Sequence, residues 1–319
     1  MQNFPETIKK YRETGCPGVG APEGGGLGPS VFGCEDADAW RLWRLNKLAR
    51  LEAAQGAAPV GVANPLAVSD DERVALLDQI AACNFALYQW EKTPVDADSL
   101  DLWLLAFSRN FELRAVEDHR SANRNGVVRI ELASDGGRAG YIPYSDRPIS
   151  WHTDGYYNYH GPGHCVQAMI LHCVAPAVSG GENRLVDHEL AFLRLRDADP
   201  AALRLLAHPE AMSIPEATDE AGRFRATNVG PVFFLDASGA LVMRYTARKK
   251  FVDWRDAATR RAAETLLALI EAEPLMSRGK LAAGQGVLCN NVLHDRAGFD
   301  GAGGRRQLCR VRFHNRIEV

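Results

Sequence analysis

The sequence predicts an α+β fold: a double-stranded β-helix, or jelly roll, with surrounding helices and a helical N-terminal region. Residues 36–115 repeat apolar side chains at helical spacing, as in DADAWRLWRLNKLARLEAA. From about residue 125 the chain changes to short β-branched or alternating runs separated by Gly, Pro and Asp turns. We therefore expect a mostly helical region over 1–124, packed on a jelly-roll domain over 125–319.

The N-terminal region begins with a Gly- and Pro-dense segment, PGVGAPEGGGLGPS at 17–30. No strand precedes it and no G-K-[ST] follows, so it is expected to be a linker rather than a phosphate loop. Three helices are predicted after it. The second of them is DDERVALLDQIAACNFALYQWE, with Ser69 as its N-cap, and the third is DSLDLWLLAFSRNF.

The C-terminal region carries the predicted strands and two helical stretches. The strand segments are VVRIELAS, HCVQAMILHCVA, VFFLDASGALVMRY, GVLCNNVLHD and RRQLCRVRFHNRI. Helical stretches are expected over 187–207, with Pro200 starting a second turn, and over 254–273. Segment 209–230, with Pro, Gly and alternating charge, is the predicted lid.

Composition narrows the classes of partner. A net charge of −3 and a pI of about 6.3 favour neither nucleic acid nor a membrane surface as partner. The seven cysteines are scattered without a C-x-x-C pair, which argues against a disulfide framework or a zinc ribbon. The first residues lack an apolar segment, so no signal peptide and a cytoplasmic location are expected. The N-terminal helices could pair subunits in a homo-oligomer.

The stretch SWHTDGYYN predicts part of a metal site. Residues two apart on a strand share a face, so His152 and Asp154 would point an imidazole and a carboxylate at one position. These are two ligands of the facial triad that holds non-haem Fe(II). His294, at the end of GVLCNNVLHD, is the best candidate for the second histidine. The similar pair in AHPEA is discounted because it follows a helical run and its proline breaks strand pairing.

The last strand adds arginines to this arrangement. On a strand, Arg306 and Arg310 of RRQLCR share one face. A guanidinium near the metal can hold a carboxylate through two parallel hydrogen bonds, which fixes the orientation of that carboxylate.

Together these motifs resemble the 2-oxoglutarate-dependent Fe(II) dioxygenases of the taurine dioxygenase (TauD/TfdA) and γ-butyrobetaine hydroxylase group. The resemblance covers roughly residues 125–319 and follows the order YIPYSDRPISWHTD, LHC, GGENRLVD, RYTARK and GQGVLCNNVLHDRAGF. It implies that Fe(II) is bound by His152, Asp154 and His294, with 2-oxoglutarate as cosubstrate and O2 as oxidant.

The same resemblance assigns the distal carboxylate of 2-oxoglutarate to Arg306 and places Arg310 near the cosubstrate or an anionic part of the substrate. The spacing from the second histidine is one residue longer than in taurine dioxygenase, so Arg305 or Arg310 could take the main role. Asn183 stands where the family often has Thr or Ser.

The resemblance implies an oxidoreductase that hydroxylates a C–H bond of a small molecule, with release of succinate and CO2. An amino acid, a betaine or a sulfonate is the expected substrate type. Candidate pocket residues, with packing as the alternative, are Trp151, Tyr156, Tyr157, Arg244 and Arg248. Two other functions stay open: a zinc hydrolase with the same ligands, and a metal-binding jelly roll without catalysis.

Overall fold

The computed structural model describes Phe32 and residues 37–133, 141–218, 222, 224–302 and 304–319. The predicted linker at 17–30 lies outside these residues. The helices are α1 (Ala37–Ala54), α2 (Asp70–Cys83), α3 (Ala97–Arg109), α4 (His188–Ala198), α5 (Pro200–Leu206) and α6 (Ala257–Glu271). Short 3-10 turns cover Ile142–Tyr144 and Lys249–Phe251.

The described strands fall into two larger sheets, one three-stranded sheet and two short pairs. A six-stranded sheet has the order β1 (Val60–Val62), β2 (Phe85–Trp90), β15 (Gln285–Cys289), β5 (Ala168–Ala175), β17 (Gln307–Phe313) and β3 (Val128–Glu131). A four-stranded sheet has the order β14 (Ser277–Gly279), β6 (Asn183–Val186), β16 (Leu293–Arg296) and β4 (Ile149–His152). The remaining strands are β7 (Met212–Ile214), β8 (Ala217–Thr218), β9 (Phe224–Arg225), β10 (Asn228–Gly230), β11 (Phe233–Leu235), β12 (Leu241–Met243) and β13 (Asp253–Trp254).

The chain packs as helices, sheet, sheet and helices. The outer face of the six-stranded sheet forms an apolar cluster with α2 and α3, and the outer face of the four-stranded sheet forms another with α4, α5 and α6. Between the sheets lies a third cluster, to which Leu171 and Leu308 of one sheet and Leu185 of the other contribute. The predicted mixture of helices and sheets is confirmed, and the jelly-roll topology stays a prediction.

The N-terminal region is less helical than predicted. Ser69 caps α2 in a full capping box, as expected, but the helix ends at Cys83. Asn84 takes a left-handed conformation with φ 60°, and residues 85–90 then form β2, whose alternate side chains are buried. The prediction of one helix through FALYQW is therefore wrong. Because β2 pairs with β15, this region extends the main sheet rather than only covering it.

In the C-terminal region the predicted helices are confirmed, but one predicted strand is wrong. The helices over 187–207 and 254–273 are confirmed as α4, α5 and α6, and Pro200 opens α5. The segment GVLCNNVLHD was predicted as one strand, but β15 and β16 belong to different sheets. Asn291, with φ 48°, lies at the break, and this change of sheet carries the chain toward β4.

The lid predicted at 209–230 contains the short strands β7, β8, β9 and β10, and its function as a lid stays a prediction. Over the part of the chain that the structure describes, none of the helices combines the length and apolar character that a bilayer crossing requires.

Candidate active site

The pairing of β4 with β16 places two predicted ligands side by side. His152 and His294 are direct partners in the antiparallel register, and their ring centroids are 4.2 Å apart. Asp154 lies in the turn after β4 rather than on the strand, so the prediction that both residues of the pair lie on one strand is wrong. Each of the three side chains nevertheless offers one ligand atom, and these atoms all lie within 4.8 Å of one another.

The two imidazoles have the chemistry of metal ligands. Nδ1 of His152 lies 2.9 Å from the Ser150 carbonyl oxygen, and Nδ1 of His294 lies 3.0 Å from that of Val292. A carbonyl only accepts, so each Nδ1 carries the hydrogen and each Nε2 keeps its lone pair. Burial and the neighbouring His294 lower the pKa of His152 to about 3. The ring is therefore neutral at physiological pH.

Asp154 offers one free oxygen to the same position. Its Oδ1 accepts from Nη1 of Arg310 at 2.8 Å, and Nη1 of Arg312 lies 3.6 Å away. Its Oδ2 is buried and has no hydrogen-bond partner in the described chain. Burial alone would raise the pKa of this carboxyl, but the guanidinium groups of Arg310 and Arg312 outweigh it and hold the pKa well below its usual range. The donor set of two imidazole nitrogens and one carboxylate oxygen fits a divalent metal.

The backbone of Asp154 is fixed by a residue that sequence reasoning missed. The Asn291 side chain accepts from the Asp154 N–H at 2.8 Å and donates to the Asp154 and Val166 carbonyls at 3.0 and 2.8 Å. Gly155 follows with φ 69°, and a Cβ there would lie 2.4 Å from Cγ2 of Val166. The Asn-Asn pair inside GVLCNNVLHD was the available signal, because Asn tolerates the left-handed conformation that interrupts a strand.

Arg306 is buried between the sheets without a partner for its charge. It is 5% exposed, its guanidinium carbon lies 5.0 Å from the ring centroid of Phe299, and burial lowers its pKa to about 10. A Cβ on Gly181 would lie 3.6 Å from its Nε, so it adjoins the turn before β6. Within the described ranges it makes neither a hydrogen bond nor an ion pair. A buried guanidinium without a counter-charge can bind a carboxylate.

The other two candidate anchors are occupied. Arg305 is exposed and pairs with Glu131 at 2.9 Å on the surface. Arg310 is held by Asp154. Asn183 faces the same side of β6 as Leu185 of the cluster between the sheets, and its amide donates to the Asp295 carbonyl at 3.0 Å.

The predicted pocket residues divide into two groups. Tyr156 packs edge-on against His152, at 6.4 Å between centroids, and Tyr157 packs against Tyr156 at 5.2 Å, so both adjoin the triad. Trp151 points the other way, into the cluster with α4–α6, and its Nε1 donates to Glu271 at 2.8 Å.

The two predicted pocket arginines have different surroundings. The guanidinium of Arg244 donates hydrogen bonds to the carbonyls of residues 156, 212, 228 and 230. These bonds connect the predicted lid to the turn that follows Asp154. Arg248 lies over the ring of Phe251, at 4.7 Å, and lines a groove of about 610 Å³.

A buried ion pair behind Asp154 also escaped the sequence analysis. Arg312 and Glu117 are each 2% exposed in their side chains and form a salt bridge. Glu117 also accepts from Asn158 at 3.3 Å, and its backbone N–H donates to the Arg312 carbonyl at 2.8 Å. Arg310 and Arg312 are two apart on β17 and so share one face, which was the available signal for the arginine. No local pattern marks Glu117, which lies in a loop.

Comparisons with known proteins agree with this arrangement. Two relatives, each named Uridine-5'-phosphate dioxygenase, are 32% identical to the chain: one from Amycolatopsis sp over 169 residues, and one from Streptomyces sp over 112 residues. These matches cover 50% and 32% of this chain and span 59% and 37% of the relatives' own lengths.

Solved structures share the fold at low sequence identity. An asparagine oxygenase in complex with Fe(II), 2S,3S-3-hydroxyasparagine and succinate matches with a TM-score of 0.55 and 15% identity, over 97% of this chain and 89% of that chain. The non-heme iron oxygenase OrfP in complex with Fe, succinate and (3S)-hydroxy-L-Arg matches with a TM-score of 0.56 and 16% identity, over 77% and 81%.

A family model decides the assignment. The model described as "Taurine catabolism dioxygenase TauD, TfdA family" matches residues 97–312, which contain the triad, all three candidate anchor arginines and both strands that pair to form the site. The match begins within the predicted N-terminal region, at the start of α3. The resemblance on which the sequence analysis relied is thereby confirmed, and the chain belongs to the TauD, TfdA family of dioxygenases.

Proposed function

We propose that the chain is an Fe(II)- and 2-oxoglutarate-dependent oxygenase that hydroxylates a C–H bond of a small molecule and releases succinate and CO2. Nε2 of His152, Nε2 of His294 and Oδ2 of Asp154 hold the iron in a jelly-roll frame. Arg306 binds the distal carboxylate of 2-oxoglutarate, with Asn183 beside it. Bound iron supplies the activation of O2 that protein side chains cannot perform.

The observation that carries the proposal is a set of polar and charged groups that lack partners: three metal-ligand atoms and one cation. Among the described residues, neither Nε2 atom has a hydrogen-bond partner, Oδ2 of Asp154 is buried and unpaired, and Arg306 is a buried cation without an anion. Leaving such groups unpaired is costly, and a divalent metal together with a dicarboxylate satisfies all of them at once.

The protein's own residues supply position and charge. The carbonyls of residues 150 and 292 fix the ring orientation of the two histidines, as outer partners of metal ligands commonly do. Asn291 fixes the turn that carries Asp154, and Arg310 keeps this carboxylate ionised. Arg306 would hold the distal carboxylate of 2-oxoglutarate and so fix the orientation of the cosubstrate.

The proposal is tested by anaerobic titration with Fe(II) and 2-oxoglutarate, followed by measurement of O2 uptake and succinate. Asp154→Ala is expected to lose Fe(II) binding and all 2-oxoglutarate-dependent O2 uptake. Arg306→Gln is expected to keep Fe(II) binding and to weaken 2-oxoglutarate binding by about 10- to 100-fold, since a bidentate charged pair is lost. Arg305→Gln is the matched control and should behave as wild type.

Two results would refute it. Tight zinc binding with no succinate under any condition would favour the hydrolytic alternative. Equal effects of Arg305→Gln and Arg306→Gln would show that the buried guanidinium is not the anchor.

The substrate is proposed as a small molecule of the amino acid, betaine or sulfonate type. The relatives named Uridine-5'-phosphate dioxygenase add nucleoside phosphates to the compounds worth screening. The first screen is succinate release stimulated by members of these four classes, and stimulation by none of them would contradict this choice of substrates.

A further inference from the structure

The hydrogen-bond pattern around His119 fixes which of its nitrogens carries a hydrogen. The Ser121 backbone N–H donates to Nδ1 of His119 at 3.1 Å, so Nδ1 has no hydrogen of its own. Burial and the nearby Arg312 lower the pKa of His119 to about 3, so the ring is neutral and Nε2 carries the one hydrogen. That hydrogen is donated to the hydroxyl oxygen of Tyr157, at 3.1 Å.

The Tyr157 hydroxyl consequently keeps its own hydrogen for another partner. Its oxygen accepts from His119 and, at a longer 3.4 Å, from both terminal nitrogens of Arg312. Every one of these neighbours is a donor, and none can accept the phenolic hydrogen. No acceptor for it occurs among residues 37–133, 141–218, 224–302 and 304–319.

The Tyr157 hydroxyl lies close to the candidate metal ligands. The same Nη1 atom of Arg312 is 3.4 Å from the Tyr157 oxygen and 3.6 Å from Oδ1 of Asp154, so one guanidinium separates the hydroxyl from the candidate ligand. Tyr157 also packs against Tyr156, which packs against His152. The phenol is only partly buried, so a bound molecule can reach it.

The charges around this position are unbalanced once the cofactors are bound. Arg310 and Arg312 are matched by Asp154 and Glu117 in the protein alone. A divalent metal and Arg306 add three positive charges, and 2-oxoglutarate returns two negative ones. One positive charge is left uncompensated in a buried site, which an anionic substrate would neutralise.

On the basis of the function proposed above, we infer that Tyr157, oriented by His119 and Arg312, donates its hydroxyl hydrogen to an anionic oxygen of the substrate. The subsite takes a carboxylate, sulfonate or phosphate oxygen. The same surroundings disfavour a substrate that is cationic overall, because the site with metal and 2-oxoglutarate bound already carries one uncompensated positive charge.

The test is calorimetric titration of the Fe(II)-loaded protein under anaerobic conditions, with and without 2-oxoglutarate. The probes are uridine-5'-phosphate, taurine and inorganic phosphate as anion-bearing ligands, uridine as the matched neutral ligand, and choline as the cation. Wild type is compared with Tyr157→Phe, which removes only the hydroxyl. Tyr159→Phe is the control, since that ring packs on Phe234.

We expect at least one anion-bearing probe to bind wild type, and its affinity to fall about 10- to 100-fold in Tyr157→Phe but not in Tyr159→Phe, as for the loss of a hydrogen bond to a charged group. Uridine and choline should not bind. Binding of no anion, equal binding by wild type and Tyr157→Phe, or preferential binding of choline would each overturn the inference. Failure of 2-oxoglutarate to bind, with anion binding intact, would refute the proposed function and leave the subsite standing.

Discussion

Replacing Glu117 by Gln removes a negative charge from a buried ion pair and leaves its partner in place. Both side chains of the Glu117–Arg312 pair are 2% exposed, so the remaining guanidinium cannot recover its hydration. Removing one member of such a pair costs about 3–5 kcal/mol in the free energy of unfolding. For a chain of this size, that loss lowers the unfolding midpoint by roughly 5–10 °C.

The same substitution should also weaken metal binding. Arg312 already lies 3.6 Å from Oδ1 of Asp154, and without Glu117 this carboxylate becomes its nearest counter-charge. A stronger pair between Arg312 and Asp154 competes with the metal for the carboxylate. Fe(II) affinity is therefore expected to fall in Glu117→Gln even at temperatures where the protein is fully folded.

The assay is thermal unfolding followed by circular dichroism, combined with Fe(II) titration at 10 °C. Glu131→Gln is the matched control, because it breaks the exposed pair with Arg305 and should change stability by less than about 1 kcal/mol. The double variant Glu117→Leu with Arg312→Met should recover most of the lost stability, since no uncompensated charge remains. If Glu117→Gln is no less stable than Glu131→Gln, the reasoning from burial is wrong.

Two further predictions concern acid stability and the turn at the metal site. Burial alone would raise the pKa of Glu189, but the buried ammonium of Lys47, 2.7 Å away, outweighs it and lowers the pKa to about 2. The resulting stabilisation is present above the unfolded pKa of about 4.3 and is lost as the pH falls toward 2. In Lys47→Met the free energy of unfolding should therefore depend less on pH in this range. An unchanged pH profile would contradict the assignment. Gly155→Ala should lower both the unfolding midpoint and the Fe(II) affinity, because the added Cβ would lie 2.4 Å from Cγ2 of Val166. Adding Val166→Ala should restore part of both. Wild-type Fe(II) affinity in Gly155→Ala would contradict this prediction.

The candidate site was largely predictable because its chemistry depends on residue types in a fixed order. His152 and Asp154 are two apart, His294 closes a distant apolar run, and an arginine-rich strand follows. The structure brings these side chains together, although Asp154 lies in a turn, where local backbone geometry replaces strand alternation.

The parts that sequence reasoning missed depend on contacts between remote segments. FALYQW was assigned to a helix because an apolar run after a good helix does not show where the helix stops, and only the left-handed Asn84 marks the end. The choice among Arg305, Arg306 and Arg310 needed burial and pairing, which a spacing pattern does not contain. Glu117 carries no local signal, because its partner lies on the last strand.

The register between β4 and β16 has a consequence for the order in which the protein matures. His152 and His294 become neighbours only after the whole of the intervening chain has been synthesised and β16 has paired with β4. Iron therefore cannot guide early folding, as zinc does in a finger whose ligands are close in sequence. Under the proposed ligand set, Oδ2 of Asp154 and the two Nε2 atoms come together only in the folded scaffold, so metal loading is expected to be a late step of assembly.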